Sequence, residues 1–289
     1  MHGTIVVGID GTDRGLDALA LARGLADPGA TTLHLVAVGT DRARAEHDLA
    51  AAHDAAGDDL PVETWAVARH SAAHGLHDAC EDLRADLLTV GSTHRGALGR
   101  TLLGGVGEQA LHASPCAVAV APLGHRQGGG SPPATILAGY DETAEAQLAL
   151  GRAAWLAGLA GARLTVMSVV DLPAGLVDPG LADERWVEGV RAGRRAELDA
   201  LLAALGAEAA EIRLPGGLAW RELVVAAADH ELVVLGSRAY GPVGRLLAGS
   251  TALHVLRESP APVLLVPRGA EQPIRKRAVE PGRTLPKRA

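Results

Sequence analysis

The sequence predicts an α/β fold: two tandem, doubly wound parallel-sheet domains with five main strands each. Three observations predict it. The chain has 289 residues, and at roughly 100–200 residues per domain that length favours two domains. The chain also repeats itself, and a repeat settles domain organisation before any element is assigned. Finally, its apolar runs are short and continuous, with helical patterns between them. Strands of a parallel sheet covered on both faces read that way, whereas half-exposed strands alternate.

The repeat begins where Thr4-Ile5-Val6-Val7-Gly8-Ile9-Asp10-Gly11-Thr12 aligns with Thr135-Ile136-Leu137-Ala138-Gly139-Tyr140-Asp141-Glu142-Thr143. It resumes at Asp86-Leu87-Leu88-Thr89-Val90-Gly91-Ser92 against Glu231-Leu232-Val233-Val234-Leu235-Gly236-Ser237. It continues through Gly96/Gly241, Gly99/Gly244, Arg100/Arg245, Leu102/Leu247 and Gly104/Gly249, and ends on Ser114-Pro115 against Ser259-Pro260.

In the first copy, residues 4–9 form the first strand, a run of Ile and Val. The Leu/Ala pattern at 13–25 makes a helix. Residues 32–38, 62–67, 87–90 and 117–121 give four more apolar strands. Helical patterns at 42–56, 72–84 and 105–113 separate them. Alternation of this kind, with right-handed crossovers, gives a doubly wound domain. The expected domains are 1–123 and 134–269. The Gly- and Pro-rich run 124–133 is a linker, flexible by composition. The second copy is longer around residues 172–192. Residues 270–289 carry six basic residues and three prolines without apolar periodicity, which reads as a disordered basic tail.

Composition narrows the function classes. Hydrophobic residues are 48% and charged residues 21%, which excludes a largely disordered chain. Aromatics are 2%, with no Phe, which argues against a base-stacking surface for single-stranded nucleic acid. The net charge is −7 and positive charge is concentrated only at the far C-terminus, so no nucleic-acid partner is expected for the folded part. The two cysteines, Cys80 and Cys116, make neither a disulfide framework nor a CxxC motif, so a reducing cytoplasm is expected. No signal peptide or membrane-spanning stretch is expected.

In doubly wound sheets the binding crevice lies beyond the carboxyl ends of the strands, where strand order reverses. Strands 1 and 4 of each copy flank that point. Strand 1 ends in an acid, Asp10 or Asp141, and carboxylates accept hydrogen bonds from ribose hydroxyls. Strand 4 ends in a Gly-rich loop, 91–105 or 236–250, that opens a helix. Bare backbone N–H groups and the helix dipole favour an anion there. Together they describe an adenosine phosphate site, present twice.

On these residues the sequence resembles the universal stress protein family in its tandem form, over residues 3–269. The family's ATP-binding loop reads G-x2-G-x9-G-[ST]. The first copy supplies Gly91-Ser92-Thr93-His94, nine residues, then Gly104-Gly105. The second supplies Gly236-Ser237-Arg238-Ala239, nine residues, then Gly249-Ser250-Thr251. The resemblance implies an adenine nucleotide alpha hydrolase-like fold whose halves pair through their fifth strands as an internal pseudo-dimer, with pairing between chains as the alternative. It implies ATP as the ligand, alone or with Mg2+. Asp10 and Asp141 would bind ribose and adenine edges, with Val38 and Val169 flanking adenine. Gly91, Gly104, Gly236, Gly249, Ser250 and Thr251 would cradle ribose and phosphates. His94 and Ala239 stand where the pattern has its second glycine, and Gly105 where it has a hydroxyl. A side chain there obstructs backbone approach, so the second copy, with its hydroxyl intact and only a methyl at Ala239, is expected to bind more tightly; the alternative is that a protonated His94 reaches the phosphates itself and restores affinity in the first copy.

Other constellations carry less. His70, His74 and His77 have helical spacing but point away from the apolar face and have no counterpart in the second copy. A solvated face is the expected reading. The sequence contains neither a G-x-S-x-G elbow nor a P-loop, and its lysines are Lys276 and Lys287, both in the tail. Arg95, Arg100, Arg238 and Arg245 could instead bring positive charge to the loops. The leading expectation is therefore an ATP-binding regulator or sensor in stress adaptation, without a catalytic residue or a metal ligand set. Alternatives from other classes are a slow ATP hydrolase and a nucleotide-free interaction module.

Overall fold

A computed structural model describes residues 3–92, 94–95, 101–102, 109, 111, 114–170, 184–237 and 249–267. The first half runs β1 (Thr4–Ile9), α1 (Asp13–Gly24), β2 (Thr32–Gly39), α2 (Arg42–Ala56), β3 (Val62–Ala68), α3 (Ala72–Leu83) and β4 (Leu87–Gly91). Two short strands, β5 (His94–Arg95) and β6 (Thr101–Leu102), pair as a hairpin, and β7 (Ala117–Ala121) closes the half. The second half runs β8 (Thr135–Gly139), α4 (Ala144–Ala160), β9 (Arg163–Met167), α5 (Glu184–Ala204), β10 (Glu211–Arg213), α6 (Ala219–Ala227), β11 (Leu232–Gly236), α7 (Ser250–Glu258) and β12 (Val263–Val266). Of the helix expected at 105–113, Gln109 and Leu111 are described, and both are helical.

Local chemistry sets these boundaries. Thr12, Asp41, Ser71 and Thr143 cap α1, α2, α3 and α4 by accepting first-turn backbone N–H groups that would otherwise lack partners. Gly161 ends α4 in the left-handed conformation at φ 64°. The inner strands are apolar on both faces because both faces are covered, whereas the outermost strands β3 and β10 carry no fully buried residue. In β1, Ile5, Val7 and Ile9 join one core cluster and Val6 joins the other. Helices α1, α2, α4 and α5 cover the first face, and α3, α6 and α7 the second.

All ten main strands form one sheet, in the order β10-β9-β8-β11-β12-β7-β4-β1-β2-β3. Within each half the strands are parallel, and strand 1 lies between strands 2 and 4. The order therefore reverses beside β1 and beside β8, as the sequence predicts. The halves meet where β7 and β12 pair antiparallel, Val120 opposite Val263, Ala119 opposite Leu264 and Val118 opposite Leu265. These six side chains are at most 3% exposed. Two strands that would each be an open edge thus become the centre of the molecule, and the pairing is internal.

The connection between the halves is more fixed than its composition suggests. Asp17 on α1, 1% exposed, accepts backbone N–H groups from Gly124 at 2.8 Å and Arg126 at 2.9 Å. Arg126 pairs with Asp13 at 2.6 Å. Further along, a Cβ on Gly24 would lie 2.7 Å from the Ser131 carbonyl oxygen, so the connection lies directly on α1. Glycine content signals freedom in an unfolded chain; here the buried Asp17 carboxylate holds Gly124 and Arg126 in place.

Candidate functional site

At each reversal of strand order the chain builds an acid by the same local device. Asp10 and Asp141 follow the last residues of β1 and β8. Two residues on, the hydroxyls of Thr12 and Thr143 donate to them at 2.6 Å and 2.5 Å, while the same threonines cap the following helix. The Asp-x-Thr unit therefore orients the carboxylate and starts the helix together. Both threonines lie within the aligned repeat, yet only the structure gives them this role.

In the second half, a cavity of about 430 Å³ gathers Asp141, Val169, Gly236, Gly249, Ser250 and Thr251. Ala239 lies outside the described residues. Tyr140, Thr143, Met167, Val190, Arg194 and Leu223 complete much of the wall. Gly249 is the extended residue before α7, so the first N–H groups of that helix open toward the cavity. Val169 lies two residues beyond β9, where an isolated bridge pairs Val170 with Gly216. Helix α5 is pinned to the end of β8 by Tyr140, whose hydroxyl donates to Glu197 at 2.5 Å. Burial, and then that carboxylate, push Tyr140 up to about 12, so the phenol stays a donor at neutral pH.

The first half differs. Asp10, Val38 and Gly91 line a cavity of about 130 Å³. Gly104 and Gly105 lie outside the described residues, as does the His94 side chain, although the His94 backbone is in β5. Arg14 enters this cavity and pairs with Asp10 at 3.1 Å. The second half has Glu145 at the matching position. Both acids accept from their threonine, but Asp10 is engaged by a cation as well. Arg14 is the residue that sequence reasoning missed here; the Arg14/Glu145 mismatch within the repeat was its signal.

Gly91 and Gly236 serve packing as well as lining. A Cβ on Gly91 would lie 2.2 Å from the Arg14 carbonyl oxygen, and one on Gly236 would lie 2.6 Å from the Glu145 carbonyl carbon. Only glycine lets α1 and α4 approach their sheets this closely. The hydroxyls of Ser92 and Ser237, one residue on, are buried without a hydrogen-bond partner. A larger hollow of about 610 Å³ lies elsewhere, lined by small residues including Gly158, Gly161, Gly206 and Ala207. Its Arg213 is held by Glu211 at 2.8 Å, and it contains no glycine-rich loop. His70 and His74 are exposed, and no group of three His, Cys, Asp or Glu suited to a metal occurs among the described residues. No described helix is long and apolar enough to cross a membrane.

The model of the universal stress protein family matches residues 1–122 and again residues 134–267. This chain belongs to the universal stress protein family. Universal stress proteins of Mycobacterium bovis and Mycobacterium tuberculosis are each 30% identical to it over 217 residues, covering 73% of this chain and 74% of the relative. The crystal structure of a universal stress protein from Archaeoglobus fulgidus superposes with a TM-score of 0.70 at 19% identity, over 93% of this chain and all of that one. A putative universal stress protein from Pseudomonas aeruginosa gives a TM-score of 0.68 at 22% identity, over 93% and 95%. At such identities the structures establish a shared fold. The two family matches fall on either side of the connection that rests on α1, so each universal stress protein unit supplies one half of the ten-stranded sheet.

Proposed function

We propose that this protein binds an adenine nucleotide, ATP with or without Mg2+, in the second-half cavity, and that it acts as a nucleotide-responsive regulator in stress adaptation. The observation that carries this reading is the convergence on one cavity of an acid, a glycine at a strand end and a helix N-terminus preceded by Gly249. Each has a job. Asp141 accepts from ribose hydroxyls. Val169 and the apolar wall flank adenine. The N–H groups of Ser250, Thr251 and Ala252 have no acceptor one turn earlier in their helix, and they sit at its positive end, where phosphates are favoured. The first half, with Asp10 paired to Arg14 and a smaller hollow, is the weaker site.

Thermal melting tests this. A ligand about 100-fold above its dissociation constant stabilises by roughly 2.7 kcal/mol, and for a chain of this size that raises Tm by a few degrees. Millimolar Mg-ATP is expected to produce that shift, and Asp141→Ala is expected to shrink it. A melting curve that ATP leaves unmoved contradicts the reading and favours a nucleotide-free interaction module.

A further inference from the structure

The second-half cavity contains a cation that neither the glycine loop nor the strand ends supply. Helix α5 presents Val190 and Arg194, one turn apart, and both line the cavity. The same face continues through Leu198 and Leu202, which are 0% and 2% exposed. Arg194 therefore stands where the helix turns toward the core, and its side chain is 15% exposed. A charge held that far from water is costly without partners.

Its partners are unusual. The wholly buried Ser168 hydroxyl lies 2.5 Å from one terminal guanidinium nitrogen. Glu142 approaches Nε at 2.5 Å, yet Nε makes no hydrogen bond. The contact is one of charge, and a donor remains unused. Glu142 itself sits at φ 64°, in the left-handed region, where the first half has Gly11 at φ 69°. Such a conformation disfavours a side chain and persists where the surroundings enforce it. Arg194 is also the sole cationic side chain among the described residues lining this cavity.

We propose that Arg194 is the specificity-determining cation of the second-half site: it leaves Glu142 to pair with a phosphate of the bound nucleotide, so the site selects anionic adenine nucleotides over the nucleoside. This rests on the proposed nucleotide site and deepens it. Arginine suits the task because its planar fork binds phosphate oxygens two at a time. Glu142 is the counter-charge that holds the fork in place while the site is empty. The two residues therefore act in opposite directions on affinity for an anion.

Calorimetry on the full chain separates the possibilities, with ATP and adenosine as probes. Arg194→Gln is expected to weaken ATP about 10- to 100-fold and to leave adenosine within about twofold. Glu142→Gln, which frees the arginine, is expected to tighten ATP several-fold, again without effect on adenosine. If Arg194→Gln does not fold by circular dichroism, the sign of the Glu142→Gln effect carries the test alone. ATP affinity unchanged in the folded variants overturns the proposal, as does an equal loss for ATP and adenosine. If the wild type binds ATP but the variants match it, this inference alone fails. If the wild type binds neither probe, the nucleotide site itself fails and takes the inference with it.

Discussion

His34 shows how one buried side chain ties this fold to pH. It lies in the middle of β2 and is 6% exposed. Trp65 on β3 donates its indole N–H to Nδ1 at 3.0 Å, which requires that nitrogen to be unprotonated. Glu63 lies 3.5 Å from the same atom. Burial nevertheless prevails and pulls His34 down to about 4 from 6.5. The folded pKa is depressed, so the unfolded chain binds the proton more readily between those values. Stability from this group is full above pH 6.5 and falls as pH drops toward 4. The full effect is about 3 kcal/mol at most, at 1.36 kcal/mol per unit. Urea denaturation at pH 7 and pH 4.5 should show this loss for the wild type and a smaller one for His34→Gln; equal losses contradict the assignment. A histidine inside an apolar run is visible in the sequence, but its tryptophan partner 31 residues away is not. The acids Asp10 and Asp141 were legible because the repeat placed each at a strand end. Arg14 and Arg194 were not, because a cation's meaning depends on which carboxylate the fold brings beside it.

Between elements, the glycines at strand ends decide how closely helix and sheet approach. The Gly236 Cα faces the α4 backbone, and an added Cβ would stand 2.6 Å from the Glu145 carbonyl carbon. That neighbour is backbone and cannot rotate away, so Gly236→Ala must shift a whole helix turn. Overpacking of this kind costs about 1–3 kcal/mol. Chemical denaturation of the variant should show a loss in that range; an unchanged midpoint contradicts the packing role. In the sequence these glycines read as ligand cradles because they begin a glycine-rich loop. Packing is an equally strong reason for them, and it becomes visible only when α4 is placed on β11. The strand and helix assignments, by contrast, were legible almost throughout, since continuous apolar runs and Leu/Ala periodicity reflect burial on both faces. Composition alone suggests freedom at 124–133, because Asp17, which holds Gly124 and Arg126, lies 107 residues from Gly124.

Across the whole molecule, the antiparallel seam makes two repeats into one sheet. The β7 edge, with Val118, Ala119 and Val120 at most 3% exposed, is paired by β12. A first half produced alone, residues 1–123, would expose that edge and is expected to self-associate, since an open apolar edge recruits another strand. Size-exclusion chromatography should find it larger than a monomer at micromolar concentration; a stable monomer contradicts the seam's importance. The same duplication gives two candidate sites with unequal chemistry, and this asymmetry is the account's central claim. Among the described residues no ion pair engages Asp141, which lines a cavity of about 430 Å³ together with Gly249 and Ser250, while Asp10 is paired with Arg14 at 3.1 Å. Calorimetric titration of ATP into the wild type, Gly249→Val and Gly104→Val tests it most directly. The account predicts a tighter site that Gly249→Val abolishes and Gly104→Val leaves intact; a tighter site lost in Gly104→Val and kept in Gly249→Val would contradict it.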